Sequence, residues 1–373
     1  MRPQALVAGV LAAGLLAAAC SDDLAAPRTE ATPTATATPA ETPAPAAGPR
    51  PRTVRLTVAV SGDLLPHLPV VARARALAGG AGYRFAPLLR NLRPLVRRAD
   101  IALCHLETPL VPGPPRGYPR FRTPPALARA IRVTGWDACS TASNHTVDAG
   151  QAGVKSTIRA LDRARVRHTG SYASLRARRR PLILRARGVR VAFLSYTAGT
   201  NGIEPPRPWS VNLAGAARIL RDARRARRAG ARAVIVNLHW GIEYRHAVDP
   251  AQRRLARRLT RSRAITAIVG QHAHVVQPIR RVRGRWVVFG AGNLLSNQSS
   301  ACCPAATQDG IVAVLRLRVR GRRARVERIR YVPTWVRRPD YVVVRAGRDS
   351  WRRTVRVVGR GRGLEPVPSR PPR

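Results

Sequence analysis

The chain has 373 residues, 45% hydrophobic and 23% charged, which excludes a wholly disordered protein and allows one large α/β domain or two small ones. Its 67 basic and 19 acidic residues leave a formal charge of +48 and a pI of about 12.0. Lys155 is the single lysine, and the other bases are arginines. A GC-rich coding bias gives such a skew on a solvated face. A polyanionic partner would also account for it, because a field of this sign concentrates anions at the surface. Charge alone leaves nucleic acid open; the N-terminus argues against it.

Residues 1–20 read MRPQALVAGVLAAGLLAAAC. One arginine precedes an uncharged run of small apolar residues, 5–19, which matches a signal-peptide core. The run is short for a permanent span, which needs ~20 apolar residues. It ends in Ala17-Ala18-Ala19-Cys20, which resembles a bacterial lipoprotein cleavage site with Cys20 as the lipidated residue. The expectation is a signal peptide over 1–19 and a lipid-anchored, extracytoplasmic protein at the bacterial cell surface. A plain cleaved signal with an incidental cysteine is the alternative. Residues 20–52 are rich in Thr, Ala and Pro with almost no bulky side chain, so they read as a disordered, extended linker.

The folded domain is expected over 53–345. Residues 53–63 (TVRLTVAVSGD) alternate as a strand that delivers Asp63 at its end. Residues 100–106 (DIALCHL) repeat the device and deliver Glu107, and 136–142 (WDACSTA) deliver Asn144 and His145. A helix is expected over 151–165 and an arginine-studded amphipathic helix over 212–229. Strands at 233–238 and 264–269 then deliver His239 and the pair His272 and His274, and 285–291 leads to Gly292-Asn293. Residues 311–344 read as strands, and 346–373 as an Arg/Gly/Pro-rich C-terminal tail, frayed from about 355. The pattern is α/β and layered.

Metal-binding side chains thus fall at the ends of successive strands, where an open α/β sheet places its ligand site. Asp63, Glu107, Asn144, His145, His239, His272 and His274 form the set. Carboxylates, an amide and imidazoles suit two divalent metal ions of borderline softness: Mn, Zn or Fe. Each piece alone is common, and a lone histidine is more often structural. The ordered series is harder to reach by chance.

The motifs SGD (61–63), LETPL (106–110), SNHTVDAG (143–150), NLHWGIEY (237–244), GQHAHVVQPI (270–279) and GAGNLLS (290–296) resemble the poly-γ-glutamate capsule-biosynthesis (CapA-like) family, a branch of the calcineurin-like metallophosphatases. The resemblance runs from about residue 57 to 296. It implies a four-layer αββα sandwich, with Asp63, Glu107, Asn144, His239, His272 and His274 as metal ligands. His145 would face the substrate as a general acid or oxyanion stabiliser. The sequence departs from the family pattern at His105 (Asn in the family), Gln271 (His) and Ala273 (Pro). His105 is either an extra ligand or a bystander. Asp148 either orients His145 or caps the following helix. Glu243 stands either behind the site or in an ion pair with an arginine.

Cys104 and Cys139 sit in neighbouring strands, as a disulfide or as small apolar residues. Cys302 and Cys303 fall in a polar loop. No Walker loop, nucleophile elbow or dinucleotide motif is present. Two function classes follow: a metal-dependent hydrolase of a phosphoester or anionic polymer, or a non-catalytic polyanion-binding or export component of capsule assembly. Neither implies a specific nucleic-acid partner.

Overall fold

The computed structural model describes residues 52–369. The expected signal peptide, Cys20 and nearly all of the linker lie outside the described residues. Two sheets face each other. The first runs in the order β14 (Val343–Arg345), β13 (Arg323–Val336), β12 (Asp309–Arg320), β1 (Thr53–Leu65), β2 (Ile101–Leu106), β3 (Ala138–Ser140), β4 (Arg167–Thr169). Strand β11 (Asn293–Ser296) also pairs with β1, and β15 (Leu364–Pro366) with β13. The second sheet is β5 (Leu182–Ala186), β6 (Val189–Thr197), β7 (Ala233–His239), β8 (Ala267–Gln271), β10 (Arg285–Val288), β9 (Ile279–Val282).

Side-chain alternation explains the layering. On β1, Leu56, Val58 and Val60 point between the sheets, against Phe193, Ile235 and Val269 of the second sheet. Ala59 and Leu64 point the other way, into a core built with α1 (Leu68–Ala76), α2 (Arg93–Arg97), α3 (Ala126–Thr134) and α4 (Gly150–Arg163). The short α5 (Leu175–Arg178) precedes the second sheet. On β7, Ala233 and Ile235 face inward, while Val234, Val236 and Leu238 meet α6 (Ala216–Arg228) and α7 (Pro250–Thr260). Helix α6 shows why six arginines are tolerated in thirteen residues: Ile219, Ala223 and Ala226 form one buried stripe and most of the arginines take the other faces. The result is the expected four-layer αββα sandwich.

The C-terminal segment differs from its sequence reading. Instead of fraying, it forms α8 (Arg348–Val358) and β15. Val355, Val358 and Leu364 enter the core between the sheets, and Asp309 ties the helix down by accepting from Ser350 Oγ at 2.6 Å and from both arms of Arg353 at 2.6 and 2.8 Å. Three apolar residues spaced along an arginine-rich string were enough to bury one face. Strands β4–β6 were also not foreseen, and the expected strand at 136–142 shortens to three residues. Among the described residues no helix is long and apolar enough to cross a membrane.

Candidate metal centre

The cluster forms where the C-terminal ends of β1, β2, β7 and β8 converge. Simple alternation along β1 would turn Asp63 toward the helices, with Ala59. A bulge prevents this: Val60 pairs with Leu103, yet Asp63 pairs with His105, so three steps on β1 match two on β2. The extra residue flips Asp63 to the inter-sheet side. Gly62 makes this possible, because a Cβ there would lie 2.0 Å from the carbonyl oxygen of Gly292, which accepts from Asp63 N at 3.0 Å. His105 shares the inward face of Ile101 and Leu103, and His239 that of Ala233 and Ile235.

After β8 the chain turns sharply, with His272 at φ 91° and His274 at φ 54°. Left-handed conformations at non-glycine residues store strain, and they cluster at functional sites. Gly270 lets this turn approach β10; a Cβ would meet the Phe289 carbonyl at 1.8 Å. The main-chain N–H of His272 donates to Asp63 Oδ2 at 3.2 Å.

The structure brings the candidate ligands together. His239 Nε2 lies 2.9 Å from Asn144 Oδ1 and 3.6 Å from Glu107 Oε1. His274 Nδ1 lies 3.5 Å from Asp63 Oδ2, and its Nε2 lies 3.7 Å from Glu107 Oε1. The rings of His239 and His272 are 4.6 Å apart. Four overlapping triads each offer ligand atoms within 4.8 Å of one another: Asp63/His105/His239, Glu107/His239/His272, Glu243/His272/His274 and Asp63/Glu107/His274.

Divalent cations fit this cradle. Asp63 and Glu107 are fully buried, yet among the described residues Asp63 Oδ1, both Glu107 carboxylate oxygens and His272 Nδ1 have no hydrogen-bond partner. Burying carboxylate oxygens without donors is costly, and cations supply the missing partners. Electrostatics agree. Burial pushes Glu107 well above the usual carboxylate range. It pushes His105 and His272 down to about 4 and His239 well below its ordinary value, keeping three imidazoles neutral as ligation requires. His274 goes the other way: burial opposes its charge, but the Glu107 and Asp63 carboxylates outweigh it and hold it at about 10.

The alternatives left open by sequence separate here. His145 Nδ1 lies 2.8 Å from Asp148 Oδ2, which also accepts from Phe121 N at 2.7 Å. Helix α4 has Ala149 at its cap position and no side-chain cap, so Asp148 is placed to orient His145 and does not cap the helix. The His145 ring packs edge-on against Phe121 and belongs to none of the four triads. Among the described residues Glu243 has no arginine partner; it stands 4.0 Å from His274 Nε2, partly exposed. His105 contacts His239 directly. Cys104 and Cys139 pair across β2 and β3 as a disulfide.

Sequence reasoning gave no role to two polar neighbours of the histidines. Asn293 Oδ1 lies 3.1 Å from His274 Nδ1, and Ser140 Oγ 2.7 Å from His105 Nδ1. Gln271, where the family pattern has histidine, turns its amide onto Ser61 O at 2.5 Å and away from the ligands. The GAGN motif was a signal for Asn293; nothing in the sequence singled out Ser140.

Two facing sheets under helices, with this cluster at the strand ends, define a calcineurin-like metallophosphatase fold. The calcineurin-like phosphoesterase YfkN of Bacillus subtilis shares it, with a TM-score of 0.51 at 15% identity over 82% of this chain and 96% of that one. The family model for the bacterial capsule synthesis protein PGA_cap matches residues 57–298, and the chain belongs to that family. Its relatives include the capsule biosynthesis protein CapA of Bacillus anthracis, 26% identical over 65% of this chain and 60% of that protein. The probable polyglutamine synthesis accessory protein Rv0574c of Mycobacterium tuberculosis is 27% identical over 53% of this chain and 56% of its own length. The chain therefore spans only about three-fifths of these relatives.

Proposed function

We propose that the domain is a hydrolase that uses two divalent metal ions (Mn, Zn or Fe) on a phosphoester or an anionic polymer in capsule biosynthesis. The observation that carries this reading is the pair of fully buried carboxylates, Asp63 and Glu107, with unpartnered oxygens among histidine rings. Asp63, Glu107, Asn144, His239, His272 and His274 would hold the ions, with His105 behind His239. Bound there, such a pair would supply Lewis acidity and would lower the pKa of a bound water. The chain's own residues do the rest. Asp148 fixes the His145 ring through Nδ1, so Nε2 is free to hold or deliver a proton at the leaving group. Phe121 keeps that ring upright. Metal analysis of the purified chain, with a hydrolysis screen over phosphoesters and glutamyl polymers, tests the reading. Retained metal with turnover supports it; a chain that takes up neither Mn²⁺ nor Zn²⁺ on dialysis overturns it.

A second reading, a non-catalytic polyanion-binding or export component, is favoured by the +48 charge and by the accessory role named for the mycobacterial relative. Metal binding without turnover on any of these substrates would select it.

We also propose that the domain is lipid-anchored through Cys20 outside the cytoplasm. The 1–20 sequence supports this, and so does the Cys104–Cys139 disulfide, since such bonds persist in oxidising compartments. C20S should abolish membrane retention. Retention unchanged by C20S but released by salt would replace the anchor with electrostatic adhesion.

A further inference from the structure

At the opposite end of the strands from the metal centre lies a cavity of about 710 Å³ lined by eight arginines and Ala324. Arg227 comes from the end of α6, Arg263 follows α7, and Arg285 opens β10. The other five, Arg320 and Arg322 among them, surround the turn of the β12–β13 hairpin. Thr53 at the start of β1 pairs with Arg320, and Asp63 lies ten residues further along that strand. At ~3.3 Å per residue the cavity is roughly 30 Å from the metal centre.

The charge here is concentrated and uncompensated. Among the described residues no carboxylate lines the cavity, and only Arg318 of the eight has an acidic partner, Glu327 at 3.8 Å. Two pairs of like charges, Arg318/Arg325 and Arg320/Arg323, lie directly opposite across the hairpin, an arrangement that destabilises a sheet. Arg227 is held in place by main-chain carbonyls: Nε donates to Ala264 O at 2.9 Å and Nη1 to Arg232 O, while Nη2 reaches Thr266 Oγ1 at 3.1 Å. Burial, with Arg285 and Arg322 nearby, pushes it down to about 10. Solvated drift would spread arginines apart on convex faces. Here they converge on one concavity within the ~300–1,000 Å³ range of small-ligand sites.

We propose that this cavity binds a compact ligand carrying several clustered phosphate groups, at a site separate from the metal centre. Guanidinium forks match phosphate oxygens bidentately. A phosphate brings up to about two charges on three oxygens, a denser match to these clustered arginines than a carboxylate chain. A nucleic acid strand would want aromatic platforms for its bases, and among the described residues no aromatic side chain lines the cavity. A membrane surface would want apolar side chains at the rim; the exposed large ones (Leu68, Tyr118, Leu175, Leu213, Ile242 and Tyr244) do not line it. The site stands whether or not the metal centre turns over substrate.

The test is calorimetric titration of the full chain with inorganic tripolyphosphate in the presence of chelator, with citrate and a short glutamate oligomer as competitors. Wild type should bind tripolyphosphate more tightly than either carboxylate, and its melting temperature should rise on binding. The triple variant Arg320→Gln/Arg322→Gln/Arg323→Gln changes only exposed hairpin residues and should weaken binding about tenfold or more, as loss of charge-assisted contacts implies. A control with the same change in net charge, Arg129→Gln/Arg159→Gln/Arg221→Gln, removes exposed arginines outside the cavity and should leave affinity nearly unchanged. Equal losses in the two triples would reduce the site to a general field. Binding abolished by His272→Ala and spared by the hairpin triple would assign the phosphate to the metal centre. Citrate or the glutamate oligomer matching tripolyphosphate would also overturn the proposal.

Discussion

His105 Nε2 lies 2.9 Å from His239 Nδ1, with both rings buried where the two sheets meet. The contact continues through His105 Nδ1 to Ser140 Oγ at 2.7 Å, and Ser140 Oγ donates to Cys104 O at 3.2 Å. A cation on His239 Nε2 would need the lone pair there, and this chain of bonds can supply it: His239 Nδ1–H would give to His105 Nε2 and His105 Nδ1–H to Ser140 Oγ. The opposite direction, with His239 Nε2–H given to Asn144 Oδ1 at 2.9 Å, suits the metal-free site. His105 is thus placed as a positioning residue for His239.

His105→Phe should keep the ring stack and lose the hydrogen bond. Losing an outer partner of this kind typically costs about 10–100-fold in metal affinity. Competition with a fluorescent chelator would read the change, and His105→Asn should restore part of it. Unchanged affinity in His105→Phe would make the contact incidental.

His145→Ala should retain nearly all of the metal, because His145 belongs to none of the four triads. If the chain turns over substrate, rate should fall about 10²–10⁴-fold, the usual value of a positioned proton donor. Asp148→Asn should give a smaller loss, since the amide no longer holds the ring as the carboxylate does. Metal content and rate measured on the same preparations separate these roles from simple loss of the centre.

The metal-free chain should lose stability on both sides of neutrality. His105 and His272 are held down to about 4 when folded, so their contribution is full above the unfolded value, ~6.5, and is lost as pH falls toward 4. His274 is held up at about 10, so its contribution is full below ~6.5 and is lost as pH rises toward 10. Melting temperature in chelator should therefore fall in both directions. Added Mn²⁺ or Zn²⁺ should flatten the alkaline arm, since cations then balance the carboxylates, and steepen the acid arm, since protons compete for the ligands. A metal-free profile that is level from pH 4 to 9 would contradict the assignment of these charges.

The Cys104–Cys139 bond closes a loop with a sequence separation of 35 between neighbouring strands. Cys104→Ala/Cys139→Ala should lower stability by about 2–4 kcal/mol, chiefly through a freer unfolded chain. Both sulfurs lie on the helix-layer side of the sheet, with Ala102 and Leu106, so metal content should not change. Denaturant unfolding of the double variant, beside wild type with and without reductant, checks both statements.

Much of the site was legible because its chemistry is local. An apolar alternating run that stops at Asp63, Glu107 or His239 announces a strand and the residue at its end, and the order of such runs along the chain implies a layered α/β fold. The facing of those residues was not legible. By alternation alone Asp63 points at the helices, and only a bulge against β2, allowed by Gly62 lying against Gly292, turns it to the metal side. The state of His105 depended on Ser140 and His239, which stand 35 and 134 positions away in sequence and meet it only when the sheets face each other. Asp148 could read as a helix cap until the Phe121 main chain and the His145 ring were seen to claim its carboxylate. The tail after residue 345 looked frayed because its apolar residues are few, and it folds because the core between the sheets has an edge for Val355, Val358 and Leu364 to cover. Composition gave the arginines in number; their convergence on one cavity required a hairpin, a helix end and a strand start to come together, and covalent sequence carries no record of such distances.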